Sequence, residues 1–112
     1  MEIAEQQTGD VTVVEVKGRI DSNSAKAFGD RLSALIGAGC KRLVVDLNSI
    51  IYISSAGFRV LLVAGQLAEG ADCRLALCSL SAEVQRLFEL GAFTDLFVIY
   101  ATRDEGLAEL SA

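Results

Sequence analysis

The six residues RLVVDL, Arg42 to Leu47, constrain this chain more than any other stretch. Leu43, Val44, Val45 and Leu47 are apolar with no regular polar alternation between them, so a strand made from them has no face to turn to water. Such a strand belongs inside a sheet covered on both sides, the setting of parallel sheets whose crossovers are helices. CRLALCS (Cys73 to Ser79) repeats the pattern, and LFVIY (Leu96 to Tyr100) supplies a last strand. Between these runs the apolar period changes from two toward 3.6. Ala25, Phe28, Leu32, Leu35 and Ile36 recur at helical spacing, with Asp21, Ser22 and Asn23 offering N-caps and Gly37 and Gly39 a stop. FRVLLVAGQLAEG and SAEVQRLFELG read as two further helices, the latter with Ser81 as N-cap and Gly91 just past its end. Thr102 to Glu105 has the Thr-x-x-Glu form of a capping box and opens a short fourth helix.

Upstream, VTVVEVKG (Val11 to Gly18) is rich in β-branched residues and reads as a strand; MEIAEQQ pairs with it as a hairpin across Thr8-Gly9-Asp10. The expected order is β-β-α-β-α-β-α-β-α. That is an α/β fold, one domain over residues 1–112, with a mostly parallel sheet, an N-terminal hairpin and four helices. At 112 residues, 52% of them apolar, the chain is large and apolar enough to fold around a core of its own.

Charge and composition narrow the function. A net charge of −5 argues against holding nucleic acid through its phosphates and against docking on an anionic membrane. No apolar run approaches the ~20 residues a bilayer span needs. The polar, acidic start MEIAEQQTGD is not a signal peptide, so a cytoplasmic protein is expected. Cys40, Cys73 and Cys78 form no disulfide framework and, with no histidine in the chain, no four-ligand metal shell; reduced thiols, no metal and no cofactor are expected. A monomer or weak dimer follows as the expected assembly.

Against this plain background Ser54 and Ser55 stand out, wedged between a strand-like run and a helix-like one in YISSAGFRVLL. Catalysis does not explain them. A serine hydroxyl needs a base within reach, histidine is absent, and Lys17, Lys26 and Lys41 carry no motif that ties them to Ser55. SSAG is not a nucleophile elbow, no phosphate-loop motif follows a strand, and GAGCK (Gly37 to Lys41) follows a helix rather than opening one. The chain is therefore not expected to be an enzyme. Capping the helix is the ordinary work of a serine here, worth about 1 kcal/mol, and Ser55 is assigned to it. Gly57 lets the helix start pack close to the sheet. By helical spacing Val60, Leu61, Ala64 and Leu67 face the sheet, while Ser55, Phe58, Arg59, Leu62 and Gln66 share the other side. Phe58 then either belongs to an exposed contact surface or tucks beneath a neighbouring loop.

Three elements, Gly18-Arg19-Ile20-Asp21, Asp46 through Phe58, and Val84-Gln85-Arg86-Leu87-Phe88, resemble the STAS family, the bacterial anti-sigma factor antagonists. The resemblance covers nearly the whole chain and agrees with the order of elements. It implies a partner switch. The antagonist binds an anti-sigma factor that is also a serine kinase of the GHKL type and so frees a sigma factor; the kinase phosphorylates the antagonist, which lets go until a PP2C-type phosphatase restores it. The modified serine falls on Ser55. Ser54 stands where the family has Asp, which removes a charge beside the acceptor and makes Ser54 a second candidate acceptor; Ala56 stands where the family has a second serine. Asp21, Ser22, Ser54, Ala56, Gly57, Phe58, Arg59 and Leu62 are the implied partner-binding residues. The alternative is a STAS-like scaffold or ligand-sensing module that binds a non-kinase signalling partner.

Overall fold

The computed structural model describes residues 1–111. The chain forms β1 (Glu2–Thr8), β2 (Val11–Ile20), α1 (Ala25–Gly37), β3 (Arg42–Ile53), α2 (Ser55–Gly70), β4 (Arg74–Cys78), α3 (Ala82–Leu90), a 3-10 turn at Thr94–Leu96, β5 (Ile99–Tyr100) and α4 (Arg103–Leu110). One five-stranded sheet has the order β1-β2-β3-β4-β5. β1 runs antiparallel to β2, and every other neighbouring pair is parallel. The hairpin turn lies at Gly9-Asp10, as expected, with Gly9 in the left-handed region at φ 61°.

Each helical crossover advances one strand in the same direction, so crossovers of one hand stack their helices on one face. Phe28, Leu32 and Ile36 of α1, Leu61, Ala64 and Ala68 of α2, and Val84 and Phe88 of α3 share a core with Val14, Val16, Leu43, Val45, Leu47 and Leu77. The opposite face is covered by α4, where Leu110 and Leu107 pack on Val11, Val13, Val44, Ala76 and Cys78. The unalternating run of β3 is thereby explained, because its side chains are buried on both faces. Asp46 is the one charged residue buried in it, 4% exposed, and it meets Arg103 of α4 at 2.7 Å. Arg103 also pairs with Glu15 of β2, so one guanidinium ties the last helix to two strands. The Asp46 bond raises the Arg103 pKa further above its already high ordinary value.

The strand bounds depart from the sequence reading in one instructive place. β3 does not stop at Leu47 but runs to Ile53, and β2 continues to Ile20. Two register shifts lie between Glu15 and Lys17 and between Gly18 and Arg19, and at each of them β3 carries one residue more than β2. These bulges reset which side chains face the core, so the inward residues run Leu43, Val45, Leu47, Ile50, Ile53 rather than at every second position. Asn48 and Ser49 sit at the first shift and gave the segment the look of a loop. LFVIY is likewise mostly non-strand: only Ile99 and Tyr100 pair with β4. Ser81 caps α3 through Val84 N–H, and Thr102 caps α4 through Glu105 N–H, both as expected. α1 ends in a Schellman turn, with Gly39 at φ 99° and the Cys40 N–H bonded to the Leu35 carbonyl.

Candidate functional site: the carboxyl ends of β2 and β3

The two serines sit where β3 passes into α2, and the structure divides their roles. Ser54 has extended backbone and is the N-cap: its Oγ accepts from the Gly57 N–H at 3.3 Å, and its carbonyl accepts from the Phe58 N–H at 3.0 Å. Its own N–H donates to the Ile20 carbonyl at 2.8 Å, which fastens the start of α2 to the end of β2. Ser55 is therefore not the cap, contrary to the sequence assignment. It is the first helical residue, it is exposed, and among the described residues its hydroxyl has no hydrogen-bond partner. No acidic residue occupies the first turn of α2, so the positive end of the helix dipole is uncompensated beside that hydroxyl.

Gly57 is fixed here by space. A Cβ on it would stand 2.8 Å from Cγ2 of both Ile20 and Ile53 and 3.2 Å from the Ile20 carbonyl. This is the close helix–sheet approach expected of it, and it also buries Gly57 away from any partner.

Next to this helix start lies the Asp21–Ser24 turn. The Asp21 carboxylate accepts from the N–H groups of Asn23 (3.0 Å) and Ser24 (3.2 Å), and the Ser24 hydroxyl donates to the Arg19 carbonyl at 2.9 Å. Those backbone donors, with Asn23 the largest contributor, hold the Asp21 carboxyl below its usual range. The formal N-cap of α1 is Ser24 rather than Asp21, Ser22 or Asn23, yet Asp21 does the accepting that a cap would do. Ser22 is exposed and, with Ala56 and Arg59, lines a groove of about 390 Å³ between α1 and α2, together with Ala25, Gly29, Val60, Val63, Lys26 and Asp30.

The two faces expected of α2 need correction. Phe58 is only 6% exposed, stacked on Phe93 (4.4 Å between ring centroids, 11° between planes) and edge-on to Phe88 at 4.9 Å. Of the two placements open in the sequence, it takes the one beneath a loop, the segment after α3, and it presents no surface to a partner. Leu67, expected against the sheet, is instead 45% exposed, and the inward stripe is Gly57, Phe58, Leu61, Ala64 and Ala68. Leu62, half-buried and one turn along α2 from Arg59, lines a neighbouring hollow with Leu96, Phe97 and Val98. The structure thus assembles Asp21, Ser22, Ser54, Ser55, Ala56 and Arg59 at one end of the sheet, keeps the half-buried Leu62 one turn further along α2, and buries Gly57 and Phe58. It adds residues that sequence reasoning missed: Ile51, 61% exposed, and the Arg19 guanidinium lying 4.6 Å from the Tyr52 ring centroid. The unbroken apolar run Ile50-Ile51-Tyr52-Ile53 was the available signal, since a strand with one face on the core leaves alternate members in water.

Comparison with known proteins decides the family. The STAS domain family model matches residues 2–106. The chain belongs to the STAS domain family. A protein of Bordetella bronchiseptica named as an anti-sigma factor antagonist, BtrV, is 32% identical over 93 residues, covering 83% of this chain and 80% of that one. Among solved STAS folds, an anti-sigma factor antagonist of Thermotoga maritima superposes with a TM-score of 0.90 at 18% identity, over 96% of this chain and 93% of that one. SpoIIAA of Bacillus, in its phosphorylated form, superposes with a TM-score of 0.74 at 16% identity, over 98% and 100% of the two chains. Among the described residues of this STAS domain no helix is long and apolar enough to cross a membrane, and no group of three or more Cys, Asp or Glu is placed to hold a metal ion.

Proposed function

We propose that this STAS domain is an anti-sigma factor antagonist whose grip on its partner is broken by phosphorylation of Ser55. The observation that carries the reading is the division of labour at the start of α2. Ser54 holds the helix cap, so the hydroxyl of Ser55 is exposed, unbonded and free to react. Support also comes from the BtrV relative's name and from the existence of SpoIIAA in a phosphorylated form. The partner is an anti-sigma factor that doubles as a GHKL-type serine kinase, and a PP2C-type phosphatase reverses the modification.

The physics of release is local. Phosphate adds about −1.5 to −2 charge and three acceptor oxygens. A helix N-terminus tolerates that anion, so the domain keeps its fold. A partner seated over Ser22, Ala56, Arg59 and Ile51 must instead desolvate a dianion, which costs several kcal/mol. Ser54, whose Oγ already accepts from the Gly57 N–H, is the poorer acceptor.

The test is to mix the protein with its cognate kinase and ATP, locate the phosphate by mass spectrometry, and titrate variants by calorimetry. Ser55→Ala is expected to bind as tightly as the parent and to take no phosphate. Ser55→Asp is expected to fold normally and bind about 10-fold to 100-fold more weakly, a loss on the order of 1.4–3 kcal/mol. Phosphate found on Ser54, or a Ser55→Asp variant that binds like the parent, would overturn the assignment. Failure of the domain to bind any serine kinase would leave it a scaffold or ligand-sensing module.

A further inference from the structure

Far from Ser55, at the amino ends of the parallel strands, two cysteines come together. Cys40 follows the Schellman turn that ends α1, and Cys73 follows the end of α2. Strands β3 and β4 pair in register at Arg42 and Arg74, and the Arg74 N–H donates to the Lys41 carbonyl at 2.8 Å. Cys40 and Cys73 are thus one residue out of level on adjacent chains. At a strand spacing of about 4.8 Å and a rise of about 3.3 Å per residue, such an offset corresponds to a Cα separation on the order of 6 Å, within the span of a disulfide. Both side chains pack into the core cluster on the helical face. Both thiols are free.

They differ in access. Cys73 is 6% exposed, and burial, together with the neighbouring Cys40 thiol, pushes its own thiol up to about 11. Cys40 is half-buried, and its thiol donates to the Arg42 carbonyl at 3.3 Å. A small oxidant therefore reaches Cys40 first, with Cys73 held behind it.

We infer that Cys40 and Cys73 form a peroxide-sensitive thiol pair that closes to a disulfide without unfolding the domain and locks the carboxyl ends of α1 and α2 together. The Cys40 sulfur attacks one oxygen of hydrogen peroxide; the O–O bond breaks, the sulfur is oxidised to a sulfenic acid, and one water leaves. The Cys73 sulfur then attacks the sulfenic sulfur; the S–S bond forms, the S–O bond breaks, and the hydroxide departs as a second water with the Cys73 proton. Two thiols are oxidised and one peroxide is reduced to two waters. The bridge closes a loop of about thirty residues, which restricts the unfolded chain. The third thiol, Cys78, is buried on the opposite face of the sheet under α4 and takes no part.

Intact-mass spectrometry and peptide mapping of the whole protein after treatment with stoichiometric hydrogen peroxide test this. The parent and Cys78→Ser are expected to lose two hydrogens each and to yield one Cys40–Cys73 linked peptide pair, reversed by dithiothreitol. Cys40→Ser and Cys73→Ala are expected to yield no linked pair. The bridged protein is expected to keep its circular dichroism spectrum and to melt on the order of 10 °C higher than the reduced form. A bridge to Cys78, a bridge between two chains, a sulfinic Cys40 with Cys73 still free, or a bridged form that melts lower than the reduced one would each overturn the inference.

Discussion

At the scale of single residues, neighbours in the sequence have opposite duties. Ser54 and Ser55 are chemically identical, yet only Ser54 Oγ accepts a backbone N–H. Ser54→Ala is therefore expected to lower the unfolding free energy by about 1 kcal/mol, and Ser55→Ala to leave it within about 0.5 kcal/mol, as read by urea denaturation. Gly57 and Gly65 form a second contrast on the same helix. Alanine at Gly57 gains about 1 kcal/mol of helix propensity but must push aside Ile20 and Ile53 at 2.8 Å, at a cost of about 1–3 kcal/mol. A net loss of up to about 2 kcal/mol is expected, with a weakened capping contact. Alanine at Gly65, where nothing lies within 4 Å, is expected to stabilise by about 0.5–1 kcal/mol. A Gly57→Ala variant that matched Gly65→Ala in the same denaturation series would show that the helix start can slide off the sheet at no cost.

Helices and strands are the scale at which sequence and structure are best compared. Most elements were legible because their signals are local: the Gly9-Asp10 turn, the Ser81 and Thr102 caps, and the α1 stripe through Phe28, Leu32 and Ile36 each depend on residues within one or two turns of chain. The errors arose where a distant element decides. α2 is gripped by the sheet on one side and by Phe88 and Phe93 on another, so its buried arc swings toward Phe58 and Ala68 and away from Leu67. Nothing within the helix distinguishes those two stripes, and the larger side chain at Leu67 favours the wrong one. The site was legible as a place, the junction into α2, but its membership was not: the run Ile50-Ile51-Tyr52-Ile53 signals a strand, yet which of its members reaches water is set by the register shift against β2. The burial of Phe58 sets its prediction. Phe58→Ala is expected to cost about 3–5 kcal/mol, visible as a large fall in the denaturation midpoint, where a surface anchor would show a loss of binding alone. At α4, Arg103→Met strips Asp46 of its cation while Asp46 remains 4% exposed. Destabilisation of about 1–3 kcal/mol is expected, together with faster amide exchange confined to α4 and its neighbours. Uniform exchange across the sheet would mean that the ion pair does not hold this helix.

Over the whole molecule, burial falls from the middle of the sheet to its edges. Val44 and Val45 are fully buried on opposite faces, whereas β1 at one edge is almost wholly exposed and β5 at the other is two residues long. Ser55 and the Asp21 turn project from the carboxyl ends of β3, the central strand, and of its neighbour β2, so the site rests on the two longest and most buried strands of the sheet. The order of the strands has a different consequence for the newborn chain. Because spatial order repeats chain order without exception, each strand emerging from a ribosome meets its finished neighbour already in place, and no strand has to wait for a partner not yet made. Only the cover over Val11, Val13 and Val44 arrives late, since α4 is built from residues 103–110. Until those residues clear the exit tunnel the nascent sheet shows an oily back, and the window for chaperone capture closes when α4 folds over it.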